Sequence, residues 1–465
     1  MNKNLRNTLS LFSMDLAMKF IGFLATAYLA RVLGKAGFGA INVGLSVLNY
    51  ASVLTTGGLV ILGTRKIAAN QDSNVITGEI FYGRLTLSIV VFVIVVAVTF
   101  ILSGFSEISY IILAYIFYLF PTAFMLEWFF VGIQKMETVA YARIIGTVVY
   151  LFLVFVIVND RDDAVLTGVA YSAGGVVTAL FFISFYKKAG YSFHLEKSKK
   201  HFLKTLKESF PLGIASYISQ FLAIFPIIYI AYISGNSEAG VFSAALKMVG
   251  LFLMFDRIFV TIFLPKIINV ISTRESSLEE IFNIVLKINV FITLAASLFL
   301  FLCSELIIIK VFGSDYSEAI FIFRLLLIYF VFTIIDSVFA NTLIGLMKEK
   351  IYTFSLLIAL IIFLILTFTL TPFIGEYGVI YSFTILNFIS LSYMIYFLKR
   401  DIKIKITRFI IVPVLFTTLV LLFLIFLQAS LYIELLIAAT LFIPLLVLIM
   451  KVGKDEINFI KRIFI

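Results

Sequence analysis

Cysteine and histidine are almost missing. The only thiol is Cys303, and the only imidazoles are His194 and His201, both in one lysine-rich stretch. A lone cysteine excludes an internal disulfide, and no cluster of thiolate or imidazole ligands is left to build a metal site. No histidine-based catalytic group is visible either. Charge is scarce too: 13% of the residues are charged and 62% are hydrophobic, against roughly 25% and 45–50% in soluble globular chains. That composition cannot clothe a water-soluble body of 465 residues in polar surface. Paired carboxylates, a nucleotide motif and a nucleophile elbow are also missing, and the longest connector is the basic stretch 187–207. A membrane polymerase or lipid-linked glycosyltransferase needs a sizeable extramembrane domain or catalytic loop, so an enzyme is not expected. A channel is disfavoured because neither a filter-like repeat nor a pore loop is present.

Long apolar runs, by contrast, recur from end to end. Each exceeds about 18 residues, the length at which a helix rising about 1.5 Å per residue crosses roughly 30 Å of hydrocarbon. They predict an all-α integral membrane protein with helices at 8–32, 39–63, 78–103, 108–131, 138–158 and 164–186. Further helices follow at 209–234, 239–265, 279–303, 317–343, 350–371 and 376–398, and a last pair at 407–428 and 431–450, fourteen in all. The expected organisation is an N-terminal lobe of six helices over residues 1–186, a cytoplasmic basic connector at 187–208, a second six-helix lobe at 209–398, and a helix pair with a cytoplasmic tail at 399–465. The run after Lys3 and Arg6 is too long for a signal h-region and lacks an A-x-A site, so the first helix is expected to stay.

The net charge of +10 sits in short connectors beside apolar runs, which is a topology signal, so no nucleic-acid partner is expected. With a cytoplasmic N-terminus, the inner segments hold 25 of the 36 basic residues and the outer ones only Arg31, Lys35, Arg161 and Lys310. The positive-inside rule then places both termini in the cytoplasm and the chain in the cytoplasmic (inner or plasma) membrane.

The chain also echoes itself. An offset of 201 residues aligns Tyr28, Ala30, Gly34, Gly39 and Leu45 with Tyr229, Ala231, Gly235, Gly240 and Leu246, and an offset of 213 aligns Gly132 and Lys135 with Gly345 and Lys348. Both echoes fall at equivalent places in a six-plus-six count. They predict parallel repeats related by a pseudo-twofold axis along the membrane normal.

Four stretches carry a family likeness: Tyr28-Leu29-Ala30-Arg31-Val32-Leu33-Gly34 through Gly39, Gly57-Gly58 to Arg65, the run from Glu127-Trp128-Phe129-Phe130 to Lys135, and Leu264-Pro265-Lys266. In these the sequence resembles the polysaccharide repeat-unit flippases of O-antigen and teichuronic-acid type, relatives of the multidrug-and-toxin-extrusion transporters and of the peptidoglycan precursor flippase. The resemblance covers essentially the whole chain. It implies two six-helix bundles around a cavity that opens alternately inward and outward, moving a polyprenyl-pyrophosphate oligosaccharide with its lipid tail in the bilayer. Lipid-linked oligosaccharide and membrane lipids are the implied partners, with polysaccharide polymerase machinery as a further one. No cofactor is implied beyond coupling to H⁺ or Na⁺. The last helix pair, absent from the twelve-helix drug exporters, favours the flippase branch; an ion-coupled exporter of the same fold is the alternative.

Ionisable groups inside a membrane helix cost at least about 2.5–3.5 kcal/mol at its centre and normally face water or a partner. Lys19, Lys247, Arg257 and Arg324 sit at membrane depth and outnumber nearby acids, so they are the candidates for gripping a pyrophosphate in a cationic cavity. Asp15, Asp256 and Asp336 are candidates for ion coupling or charge balance. Asp15 and Lys19 stand four residues apart, which equally suits a structural ion pair. Glu127 and Arg143 are expected to clamp consecutive helices, and Arg84 to snorkel to the interface. No metal ligands are expected.

Overall fold

The computed structural model describes residues 3–69, 72–192, 199–273, 278–427, 429–451 and 453; side chains 3–19, 57, 199–202, 215, 255 and 257–273 lie outside the described set. Every regular element among the described residues is helical. Contacts divide the chain into two compact units, 2–243 and 244–465.

The first unit opens with α1 (Lys3–Ala68), whose 66 residues would reach about 100 Å at 1.5 Å per residue, more than three times the hydrocarbon thickness. It is broken at Gly34 (φ 66°, ψ −179°), a backbone conformation that glycine adopts without steric cost. Residues 3–33 and 35–68 are thus two membrane segments. Thirteen stretches of the described residues are long and apolar enough to cross a membrane, and the first of them, Phe20–Thr56, contains this break. Counting it as two gives the fourteen expected.

Next come α2 (Ser73–Ser103), then α3 (Glu107–Ile116), α4 (Leu119–Phe124) and α5 (Glu127–Gly132), which together make one interrupted span, and α6 (Met136–Ile157) and α7 (Ala164–Lys188). Helix α8 (Lys199–Ile233) packs along the second half of α1 in antiparallel fashion. The pairing holds from end to end. Gly39 meets Asn236 and Gly240 just beyond the end of α8, the Tyr50 hydroxyl donates to the Phe221 carbonyl (3.1 Å), Gly58 meets Ser209 and Gly213, and Lys66 pairs with Glu208 (3.2 Å). Those contacts draw α8 into the first unit, so the contact boundary falls at 243/244 and not within the basic stretch 187–208.

Glycine is indispensable at this seam. A Cβ on Gly39 would lie 1.7 Å from the Asn236 carbonyl oxygen, and one on Gly240 would lie 2.1 Å from that of Lys35. The 201-residue offset maps Lys35 onto Asn236 and Gly39 onto Gly240, so the two contacts are reciprocal, as a local twofold requires.

The second unit takes most of α9 (Asn236–Thr273), then α10 (Leu278–Leu302), the short α11 (Ser304–Phe312), α12 (Glu318–Gly345), α13 (Glu349–Ile374) and α14 (Glu376–Leu398). The final pair is α15 (Val412–Leu427), entered through a π-helical turn, and α16 (Leu431–Ile437) joined to α17 (Ile443–Met450) by another. Two side chains of α10 hold this pair. Asn283 donates to the Lys403 carbonyl (3.0 Å) and accepts from the Lys405 amide (3.2 Å), while the Lys287 ammonium donates to the carbonyl of Lys451 at the end of α17. A cation on the terminal carbonyls suits the negative end of a helix dipole.

Candidate functional site

A polar network runs through the apolar second unit. Helix α12 carries Tyr329, Thr333, Asp336, Ser337 and Asn341 within about 140° of its circumference at 100° per residue. Around them stand Asp256 from α9, Ser355 from α13, and Asn387 and Ser390 from α14. The Ser337 hydroxyl donates to Asp256 and the Ser390 hydroxyl to Asp336. Ser390 in turn lies 3.2 Å from Ser355, Asn341 donates to the Ser337 carbonyl (2.7 Å), and Asn387 donates to Thr333 (2.6 Å).

The two carboxylates are near enough for their charges to act on each other, and each keeps one buried oxygen, Oδ1, without a hydrogen-bond partner. Two anions within electrostatic reach of each other in an apolar interior cannot both stay uncompensated. A proton or a small monovalent cation would relieve them, and hydroxyl, amide and carboxylate oxygens are the hard donors such a cation takes. Among the described residues no group of three or more His, Cys, Asp or Glu could hold a metal ion. Asp256 and Asp336 are thus brought together, with Ser337 and Ser390 as partners that went unnamed in the sequence. Their signal was legible as polar residues recurring at helical spacing in an otherwise apolar stretch.

Of the four cations named from sequence, Lys19 and Arg257 lie outside the described side chains, as does Asp15. Lys247 sits on α9 nine residues before Asp256, on the opposite side of the helix at about 100° per residue, and has no hydrogen-bond or ion-pair partner among the described residues. Arg324 lies elsewhere: its Nε donates to Ser304 (2.7 Å), its guanidinium rests 4.9 Å from the Phe301 ring, and it lines a groove to which Lys247 does not contribute.

The first unit holds a second charged cluster. Glu127 and Arg143 meet in a two-point pair, Nε to Oε2 at 3.1 Å and Nη2 to Oε1 at 2.5 Å, at a half-exposed position. Arg84 corrects the expectation that it snorkels: it is only 4% exposed and donates to the Met125 carbonyl (2.9 Å). The reason is the break between α4 and α5. Met125 leaves helical geometry (ψ 104°), which frees a carbonyl that no helical amide reaches, and a buried guanidinium beside Glu127 satisfies it.

With this geometry in hand, comparison with known proteins places the chain. Its fold superposes on that of the lipid II flippase MurJ in an inward closed conformation with a TM-score of 0.74 at 15% identity, covering 95% of this chain and 98% of that one. An inward-facing multidrug resistance transporter of the MATE family gives 0.63 at 15% identity, over 82% and 94%. These are folds of transporters. In sequence, the chain is 21% identical over 244 residues to an inferred O-antigen transporter of Escherichia coli (strain K12) and 23% identical over 246 residues to one of Shigella dysenteriae, each match covering 52% of this chain. The matched stretch spans 59% and 62% of those relatives' own lengths. Residues 4–267, more than half of the chain, match the family described as polysaccharide biosynthesis protein, and the chain belongs to that family.

Proposed function

We propose that this protein is a flippase that carries polyprenyl-pyrophosphate-linked oligosaccharide repeat units from the cytoplasmic to the outer face of the inner membrane, for cell-surface polysaccharide synthesis. The extent of the fold likeness carries the reading. The lipid-flippase fold covers 95% of the chain and the inward-facing exporter fold 82%, a difference about the size of the last helix pair. Both termini are taken as cytoplasmic from the distribution of basic residues. Transport proceeds by alternating access between two six-helix lobes, 1–186 and 209–398, with a polymerase consuming the product outside.

Asp256 and Asp336 are the ion-coupling pair in this reading. Uptake of H⁺ or Na⁺ there removes the repulsion between two buried carboxylates and changes which packing of α9, α12 and α14 is stable. Lys247 of α9, without a partner among the described residues, is the cation assigned to the pyrophosphate, where a charge-assisted hydrogen bond compensates the anion as it leaves water.

The test is translocation of a lipid-linked oligosaccharide in proteoliposomes under an imposed H⁺ or Na⁺ gradient. Asp336→Asn and Asp256→Asn should each abolish the response to the gradient, and Lys247→Ala should slow translocation at normal abundance. Gradient-driven transport by both Asn variants at the wild-type rate would remove the coupling pair. Export of cationic dyes with no lipid-linked transport would replace the flippase by the exporter.

A further inference from the structure

Two cavities of the second unit meet at Arg324, and they differ in character. One is a groove of about 470 Å³ walled by α10, α12 and α15, apolar except for Arg324 and the hydroxyls of Ser297, Thr417 and Thr418. On α12 its wall runs from Phe321 to Phe332 and on α15 from Val414 to Ile425, each about 17 Å at 1.5 Å per residue. That is about half of the ~30 Å hydrocarbon layer, the depth of a single leaflet. Its rim residues Phe321, Ile328, Thr418 and Ile425 are exposed, so the groove opens to lipid. The other cavity, about 440 Å³, lies beyond Arg324 against α11 and the start of α16, and Glu305, Lys310 and Glu434 line it together with Arg324.

We infer that these joined cavities are a binding site for a zwitterionic aminophospholipid, one acyl chain in the groove and the headgroup in the charged pocket. Length and openness to the bilayer suit one chain of one leaflet. Charge decides the headgroup. Arg324 spends only Nε on Ser304, and its two Nη groups have no partner among the described residues, which leaves a fork for a phosphate. The two carboxylates of the same pocket, Glu305 and Glu434, suit a primary ammonium and oppose a purely anionic headgroup. Two cations facing two anions match phosphatidylethanolamine, whereas phosphatidylglycerol offers the glutamates only neutral hydroxyl donors and no cation, and a polyprenyl pyrophosphate would bring extra negative charge against them. The two cavities share no lining residue with the coupling pair or with Lys247.

The experiment uses the full chain purified in a mild detergent, with bound lipid counted by native mass spectrometry after addition of phosphatidylethanolamine and phosphatidylglycerol of identical acyl chains. Wild type should retain phosphatidylethanolamine over phosphatidylglycerol by roughly tenfold, the effect of one good charge contact. Glu434→Gln should erase that preference while keeping occupancy, and Arg324→Gln should lower retention of both lipids. Thr418→Trp, on the exposed rim and away from every charge, should lower occupancy by filling the groove, and it reports even where a charge variant fails to fold. Equal retention of the two lipids by wild type, or unchanged occupancy in Thr418→Trp, would overturn the inference. So would displacement of phosphatidylethanolamine by an equal concentration of undecaprenyl pyrophosphate, which would assign the groove to the cargo.

Discussion

The seam between the second half of α1 and the start of α9 permits a quantitative test of the reciprocal glycine contact. In Gly39→Ala the new methyl would sit 1.7 Å from the Asn236 carbonyl oxygen, whereas an unstrained carbon–oxygen contact needs about 3.3 Å. The backbones must therefore part by about 1.6 Å. The shortfall for Gly240→Ala, at 2.1 Å from the Lys35 oxygen, is about 1.2 Å by the same contact distance. Neither obstacle is a side chain that can swing away, so each substitution should cost about 3 kcal/mol, the upper part of the range for overpacking. The double variant is the sharper test. Both clashes are relieved by the same separation, so the pair should cost about 4 kcal/mol and not the about 6 kcal/mol of independent sites. Equilibrium unfolding in mixed micelles can be followed through the single tryptophan, Trp128, which is buried against Gly63. Gly250→Ala is the control: a Cβ there meets nothing within 4 Å, and the helix should gain up to about 1 kcal/mol. Wild-type stability of Gly39→Ala, or strict additivity in the double variant, would refute the reciprocal contact.

The remaining predictions concern charge and topology. Arg84→Gln should destabilise the first unit by about 2 kcal/mol, because the Met125 carbonyl and Glu127 both lose a buried cation, whereas Arg143→Gln, at a half-exposed pair, should cost under about 1 kcal/mol in the same unfolding assay. Lys287→Met should release the end of α17, seen as faster proteolysis near Lys451 with unchanged insertion of the remaining spans. On a Cys303→Ala background, a cysteine at Asp162 should react with an impermeant maleimide added outside intact cells and one at Ser192 should not; the reverse pattern would invert the proposed orientation.

Much of the architecture is legible in one dimension because lipid imposes a single rule. Every backbone polar group in hydrocarbon must be satisfied within the segment, so apolar runs of sufficient length become helices almost regardless of neighbours. That is why most of the spans have expected ends close to those observed, Glu376–Leu398 at the expected 376–398 among them, although α8 begins at Lys199 where 209 was expected and α9 runs to Thr273 where 265 was expected. The interruptions were less visible. The break at Gly34 falls in the gap expected between 32 and 39, but the break at Met125 is marked only by a proline four residues earlier, and a composition window cannot see it.

The charged residues divide along the same line. Their depth is a property of the sequence, since a lysine nine residues into a helix is at membrane depth in any packing. Their partners are not. The pairing of Asp256 with Asp336 depends on how α9 crosses α12, eighty residues apart, and Arg84 is buried because a distant helix breaks opposite it. Arg324 shows both halves. The sequence by itself determined that a cation stands at membrane depth in that helix and that it could not be left in bare hydrocarbon, because hydration energy is a property of the residue. Only the tertiary structure decided that Ser304, Phe301 and the α15 wall would surround it, because contacts between helices are set by rotation about axes on which a hydropathy pattern carries no information.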